Sequence, residues 1–306
     1  MRIIISKVLV ALMLILLFLF GSILVCVLNA QTIPYSGGRI VISSDGNEHD
    51  HDDWASTPFA LALLAARGLQ DKLAVFTFSD HIWGSNFEKK NARQQMLVSA
   101  LEGKEQFGFI NTKFIEAVAD FTAATSAITD EINKSAKKDP LTIIAAGPMH
   151  VVGTAIDNAK TSKLKYVRLI SHSDWNDNHA DRPLDWEEHS GWTWSEIEEK
   201  YASKGLICDH IMDQNGGDDY YGMHGPMEMF DWIKTSPARN LSHYKSGSWD
   251  WLYGRQLTCI KEGYFDPSDA GMVIYLLTGK QKTSPEDARI IMENPLNQKK
   301  LEKVNF

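Results

Sequence analysis

The chain has little positive charge, little cysteine and no long apolar run beyond its first thirty residues. Its 31 Lys and Arg are outnumbered by 39 Asp and Glu, a formal charge of −8. Loss of a leader carrying Arg2 and Lys7 would leave 29 basic against 39 acidic side chains, or −10. A surface of that sign argues against nucleic acid or anionic membrane as a partner. There are three cysteines and no Cys-x-x-Cys pair, so a structural zinc site has no support. Cys208 and Cys259 could pair in an oxidising compartment or stand as two buried thiols, and spacing leaves both open. No internal repeat or low-complexity tract breaks the chain.

The exception to the apolar shortage is Val8 to Leu28, preceded by Arg2 and Lys7 and followed by Leu28-Asn29-Ala30. This reads as an export signal at residues 1–30, cleaved before Gln31, with a periplasmic or secreted product; an uncleaved anchor is the alternative. Cys26 follows Ile23-Leu24-Val25, which lacks the small residues of a lipidation site. No stable membrane insertion is expected after cleavage. The remaining 31–306 are long enough for a single large domain with its own core.

What the chain has in abundance is acid at one place. Residues 45–53 hold Asp45, Glu48, His49, Asp50, His51, Asp52 and Asp53, five carboxylates and two imidazoles in nine positions. Like charges this close repel unless some are protonated, solvated or bound to a cation. The loop follows the apolar stretch Arg39–Ser44, a strand by its composition. Thr57-Pro58 is expected to open a helix over Phe59–Arg67 that stops at Gly68. Further strands are expected at 73–78, 107–110, 141–146 and 166–171, with helices over 88–101, 112–137 and 148–159. The alternation predicts an α/β fold: a doubly wound, mostly parallel sheet with helices on both faces. Ligands of such sheets sit beyond the carboxyl ends of the strands. There this chain places the acidic loop, then Asp80 and His81, then Ala146-Gly147-Pro148, then His172 to Asn178.

From about 182 to 255 the pattern loosens into an irregular, Trp-rich insertion. Seven of the nine tryptophans fall between residues 175 and 251. Helical fragments are expected near 194–202 and 226–234. Asp266-Pro267 is expected to open a last clear helix ending at Thr278-Gly279.

These residues resemble the nucleoside hydrolase superfamily, the calcium-dependent inosine-uridine N-glycosidases. Their first strand runs into an Asp-x-Asp-Pro-Gly-x-Asp-Asp loop and an Ala/Leu-rich helix. Here Asp45 matches the second Asp, Asp52 and Asp53 the closing pair, and Ser43 stands where the first Asp would be. Leu141 to Pro148 is similar to the family's fourth strand and Gly-Pro turn, and Asn91-Ala92 to a pair in its second helix. The resemblance implies Ca2+ held by Asp45, Asp52, Asp53, the Ala146 carbonyl and a late carboxylate. Asp266, in an Asp-Pro dipeptide, is favoured for that last place, with Asp269 competing. Phe265 stands where many members carry a histidine that protonates the leaving group, so the acid must come from elsewhere.

Calcium prefers six to eight hard oxygen ligands, which carboxylates supply. The adjacent imidazoles would also suit a transition metal, and a solvated polar loop capped by Asp53 or Ser56 is the plain alternative. Asp45 or Asp52 could take a proton from water, while His81 and His172, each directly after a strand, are candidate acids or bases. His49, Asp80, Trp83, Asn86, Asp174, Trp175, Asn176 and Asn178 are candidate contacts to sugar hydroxyls and ring faces. Asn and Asp are also ordinary turn formers. His150 is as readily packed as functional, and His179, His189, His210, His224 and His243 are expected to be exposed or structurally bonded. The expected function is a metal-dependent glycosidase acting on a small-molecule or oligosaccharide substrate. The alternative is a non-catalytic saccharide-binding protein on the same fold.

Overall fold

The computed structural model describes residues 35, 37–46, 51–83, 90–179 and 191–295. Its centre is a parallel sheet of β1 (Arg39–Ser44), β2 (Leu73–Phe78), β3 (Lys113–Glu116), β4 (Leu141–Ala146), β5 (Val167–Ser171) and β6 (Ile207–His210), in the order β3-β2-β1-β4-β5-β6. The order reverses between β1 and β4, whose last residues, Ser44 and Ala146, lie side by side. A short antiparallel pair, β7 (Gly225–Pro226) and β8 (Tyr264–Phe265), stands apart.

The period-2 pleat divides each central strand between two cores. Ile40, Ile42, Phe76, Phe78, Ile144 and Ile170 pack in one, with helices His51–Ala66, Ser248–Leu257 and Ala270–Thr278. Val41, Val75, Ile143, Ala145, Val167 and Leu169 pack in the other, with helices Phe121–Lys134, His150–Asp157 and Trp194–Tyr201. The expected doubly wound α/β fold is the observed one.

Three expectations need correction. The segment 107–110 is not a strand: Phe107 ends a helix at Gly108, a left-handed C-cap, and the edge strand β3 comes later at Lys113–Glu116. The first helix begins at His51, so Asp52 and Asp53 lie in its first turn and Pro58 lies inside it. Proline has no N–H to offer the carbonyl four residues back, that of Trp54. The Ser99 hydroxyl takes its place, donating to the Trp54 carbonyl at 2.6 Å, and the Arg255 guanidinium in turn donates to Ser99 at 2.8 Å. Third, the late helix opens at Ala270 rather than at Asp266-Pro267. Cys208 and Cys259 are both free and pack in different cores, so they stand as two separate thiols, of which Cys259 is buried and Cys208 only partly so. The leader at 1–30 lies outside the described residues; among those described, no helix is long and apolar enough to cross a membrane. Tyr35–Phe306 clusters as one compact unit.

Candidate active site at the carboxyl ends of the strands

The crevice at the strand reversal is built by close backbone approach. The Asp45 N–H donates to the Ala146 carbonyl at 2.8 Å, and the Asp45 carbonyl accepts from Ser79 N–H at 2.7 Å. The turn after β4 presses on Asp45 so closely that a Cβ at Gly147 would lie 2.9 Å from the Asp45 backbone nitrogen. Glycine at 147 is therefore a steric requirement of the crevice. Asp45 is 1% exposed.

The helix that starts at His51 aims the adjacent acids differently, because neighbours on a helix diverge by about 100°. Asp53 is buried against β1, with the Ser44 hydroxyl 3.4 Å from its Oδ1. Asp52 is half-buried and close enough to Cys259 to help raise that thiol's pKa, behind the larger effect of burial. Of the pair expected to act together, Asp53 is the one placed beside the end of β1. Glu48, His49, Asp50 and Asn86 lie outside the described residues.

β2 and β5 end alike. Ser79 and Ser173 both adopt left-handed backbone, with φ of 55° and 69°. Non-glycine residues rarely accept such angles unless the surroundings enforce them, and such strain gathers at functional sites. Each kink adjoins a buried titratable residue. Asp80 accepts from the Ser43 hydroxyl and, at 2.8 Å, from Thr77 Oγ1, while its Oδ1 finds no partner. Burial pushes its pKa up to about 7, against those two hydrogen bonds. With 0% exposure, Asp80, a candidate contact to sugar hydroxyls by sequence, clasps β1 to β2.

His172 is 1% exposed, with its Nε2 2.7 Å from Asp269 Oδ1. Its Nδ1 faces Asp213 Oδ1 at 3.3 Å and the Gln214 N–H at 3.1 Å. These are alternatives, since Gln214 needs an unprotonated Nδ1 and Asp213 a protonated one. Burial disfavours the charged ring, but the hydrogen bonds to Asp213 and Asp269 outweigh it and push its pKa up to about 9. The same contact holds Asp213 down at about 2. Sequence gave no signal for Asp213 or Gln214, which reach the site only because β6 returns the chain to this rim.

Of the two competing late carboxylates, Asp269 is the one at the crevice. It lines a small cavity with Ser44, Ser56, Thr57 and Ala146. Asp266 instead accepts from the Ser268 N–H at 3.1 Å; burial raises its pKa, opposed first by the hydrogen bonding to Ser268 and then by nearby His224. The donor set around Ser44 is all hard oxygen, the chemistry calcium favours. The fit nevertheless falls short: among the described residues, no group of three or more His, Cys, Asp or Glu side chains could hold a metal ion. Asp269 is already bonded to His172. No step is therefore derived through a metal.

Beside β2 lies an aromatic and imidazole cluster. His81 is 1% exposed and its ring lies 4.7 Å from His179 and 5.6 Å from Trp83. Trp175 packs on His179 at 4.0 Å, and His150 stacks on Phe121 at 5.2 Å with planes 11° apart. Trp83 and Trp175 keep some exposure. Asn176 is buried, whereas Asp174 and Asn178 are exposed and bonded to each other at 2.6 Å.

No family model matches the chain. An uncharacterized protein of Formosa agariphila is 29% identical over 276 residues, covering 85% of this chain and 93% of its own. Among solved structures, the inosine-uridine preferring nucleoside hydrolase of Bacillus anthracis aligns over 79% of this chain and 82% of that one, with 13% identity and a TM-score of 0.43.

Proposed function

We propose that the protein is a hydrolase of glycosidic bonds working in the crevice between β1 and β4. The observation that carries this reading is that Asp45, bonded through its backbone to Ala146, Asp53, beside Ser44, and Asp269, lining a cavity with Ser44 and Ala146, all adjoin the ends of β1 and β4 where the strand order reverses, the place at which open α/β sheets take their ligands. Buried carboxylates suit oxocarbenium chemistry, because a fixed negative charge stabilises a developing positive one. Asp45 takes the proton of the attacking water, and Asp53 and Asp269 stabilise charge at the anomeric carbon. Trp83 and Trp175 offer ring faces to a sugar. Export rests on the Val8–Leu28 run, and a divalent cation, calcium first, enters as a binding expectation only.

The second reading, a saccharide-binding protein without turnover, is favoured by one observation. Two expected acid–base groups, His81 and His172, are almost wholly buried. The test is a screen of nucleosides and aryl glycosides with and without calcium, run beside calorimetric binding of the same compounds. Hydrolysis supports the enzyme; binding without hydrolysis supports the second reading; neither sinks both.

A further inference from the structure

A carboxylate that stabilises developing charge works best when its orientation is fixed beforehand. Asp269 is the N-cap of helix Ala270–Thr278, and its Oδ1 lies 2.7 Å from His172 Nε2. The His172 ring is held in turn at Nδ1, where the Gln214 N–H lies 3.1 Å away and Asp213 Oδ1 3.3 Å. That Asp213 oxygen already accepts from the Asn215 N–H and from Asn215 Nδ2, each at 2.9 Å, on a half-exposed side chain. Gln214 is the firmer partner. It is wholly buried and every polar group it has is used. Its Nε2 donates to the carbonyls of Met212 and, at 2.9 Å, Gln281. Its Oε1 accepts from Thr283 Oγ1 at 2.5 Å, and its carbonyl accepts from the Met223 N–H at 2.9 Å. Two carbonyls on one amide atom can only be met by the nitrogen, so the side chain has one way to sit. The N–H left over is the one aimed at His172.

The same side chain bears on Asp269 from behind. Gly271 lies two residues past Asp269, and a Cβ there would sit 2.5 Å from Gln214 Oε1 and 2.9 Å from Thr283 Oγ1. Gln214 thus packs on the turn that carries Asp269 while its N–H orients the ring that Asp269 bonds. A donor facing Nδ1 excludes a proton there in the neutral ring, so the proton sits on Nε2 and points at Asp269. In the charged ring Nδ1–H goes to Asp213 and the Nε2 proton stays. Asp269 faces a donor in both states.

We propose that Gln214 is a positioning residue of the crevice: through His172 and through Gly271 it holds the Asp269 carboxylate in the orientation that stabilises charge at the anomeric carbon. The assignment rests on the hydrolase reading. NMR of the nitrogen-labelled ring shows which nitrogen of His172 carries a proton. Nε2 should carry one at every pH, and a neutral ring protonated on Nδ1 overturns the assignment whether or not the protein is an enzyme. For a substrate that the screen identifies, kcat and KM are measured for Gln214→Leu and Thr283→Val, each alone and with Asp269→Asn, with folding verified by unfolding. Gln214→Leu should lower kcat about 10-fold and leave KM nearly unchanged. Thr283→Val, which removes only the donor to Oε1 and keeps the size of the side chain, should lower kcat about 3-fold and carries the test if Gln214→Leu does not fold. With Asp269→Asn either substitution should cost about twofold or less, because the carboxylate it positions is gone. A merely structural role would lower activity alike in both backgrounds. Equal losses in the two backgrounds, or no loss in the first, overturn the assignment and leave the hydrolase reading standing. Wild type inactive on every compound removes the hydrolase reading itself, and this role with it.

Discussion

The placement of Asp53 depends on a helix that runs through Pro58, and that dependence can be measured. Removing the Ser99 hydroxyl leaves the Trp54 carbonyl buried with no donor, because Pro58 cannot supply one. An orphaned buried acceptor costs about 1–3 kcal/mol. Arg255 loses one partner but keeps Gln95 and Thr258, which limits the further loss. Ser99→Ala should therefore destabilise by about 2 kcal/mol. In a chain of this size that corresponds to a melting temperature lower by about 4–8 °C. In a Pro58→Ala background the new N–H of residue 58 reaches the Trp54 carbonyl, so Ser99→Ala should cost at least about 1 kcal/mol less there. Urea unfolding of the four proteins of this cycle gives the coupling directly. An identical cost of Ser99→Ala in both backgrounds would refute the idea that the hydroxyl stands in for the missing proline donor.

Gly147→Ala should destabilise by about 1–3 kcal/mol in the same assay, since its Cβ would meet the Asp45 backbone rather than a yielding side chain. Asp80, whose folded pKa lies near 7 and above its unfolded value, costs stability as it ionises, so Asp80→Asn should be neutral at pH 4 and stabilising at pH 8 by a few kcal/mol at most, about 1.4 per pKa unit. His172 is raised to about 9, so its contribution is present in full below about pH 6.5 and disappears as the pH rises through 9; the stability gap between wild type and His172→Gln should shrink over that window, read from chemical denaturation at each pH. If calcium binds the folded chain, the melting temperature should rise with calcium after chelation, and Asp53→Asn should weaken that rise more than Asp52→Asn; a flat titration would end the metal expectation.

The four inner strands were legible because both their faces are buried, which demands unbroken apolar runs such as Ile40-Val41-Ile42 and Ile143-Ile144-Ala145. The two edge strands were not. Lys113-Phe114-Ile115-Glu116 and Ile207-Cys208-Asp209-His210 carry the charge and mixed polarity that protect an edge, and this removes the strand signal. The start of the first helix was hidden by Pro58, whose lost hydrogen bond is made good by Ser99 from the helical segment Val98–Glu102. At the site, Asp45, Asp53, His172 and Asp269 could be named because strand ends and the late acidic pair are local features. Asp213 and Gln214 could not, because they depend on where β6 lies. Asp80 and His81 were found in position but are buried, and burial at a strand end is decided by the loops that cover it.

The most direct test of the account is the turnover of nucleosides and glycosides by wild type and by Asp45→Asn, with folding of both verified by unfolding. If the crevice between β1 and β4 is the catalytic centre, wild type hydrolyses at least one class and Asp45→Asn loses about 100-fold or more in kcat/KM on it. Undiminished turnover by folded Asp45→Asn, or none by wild type on any compound, would contradict the account.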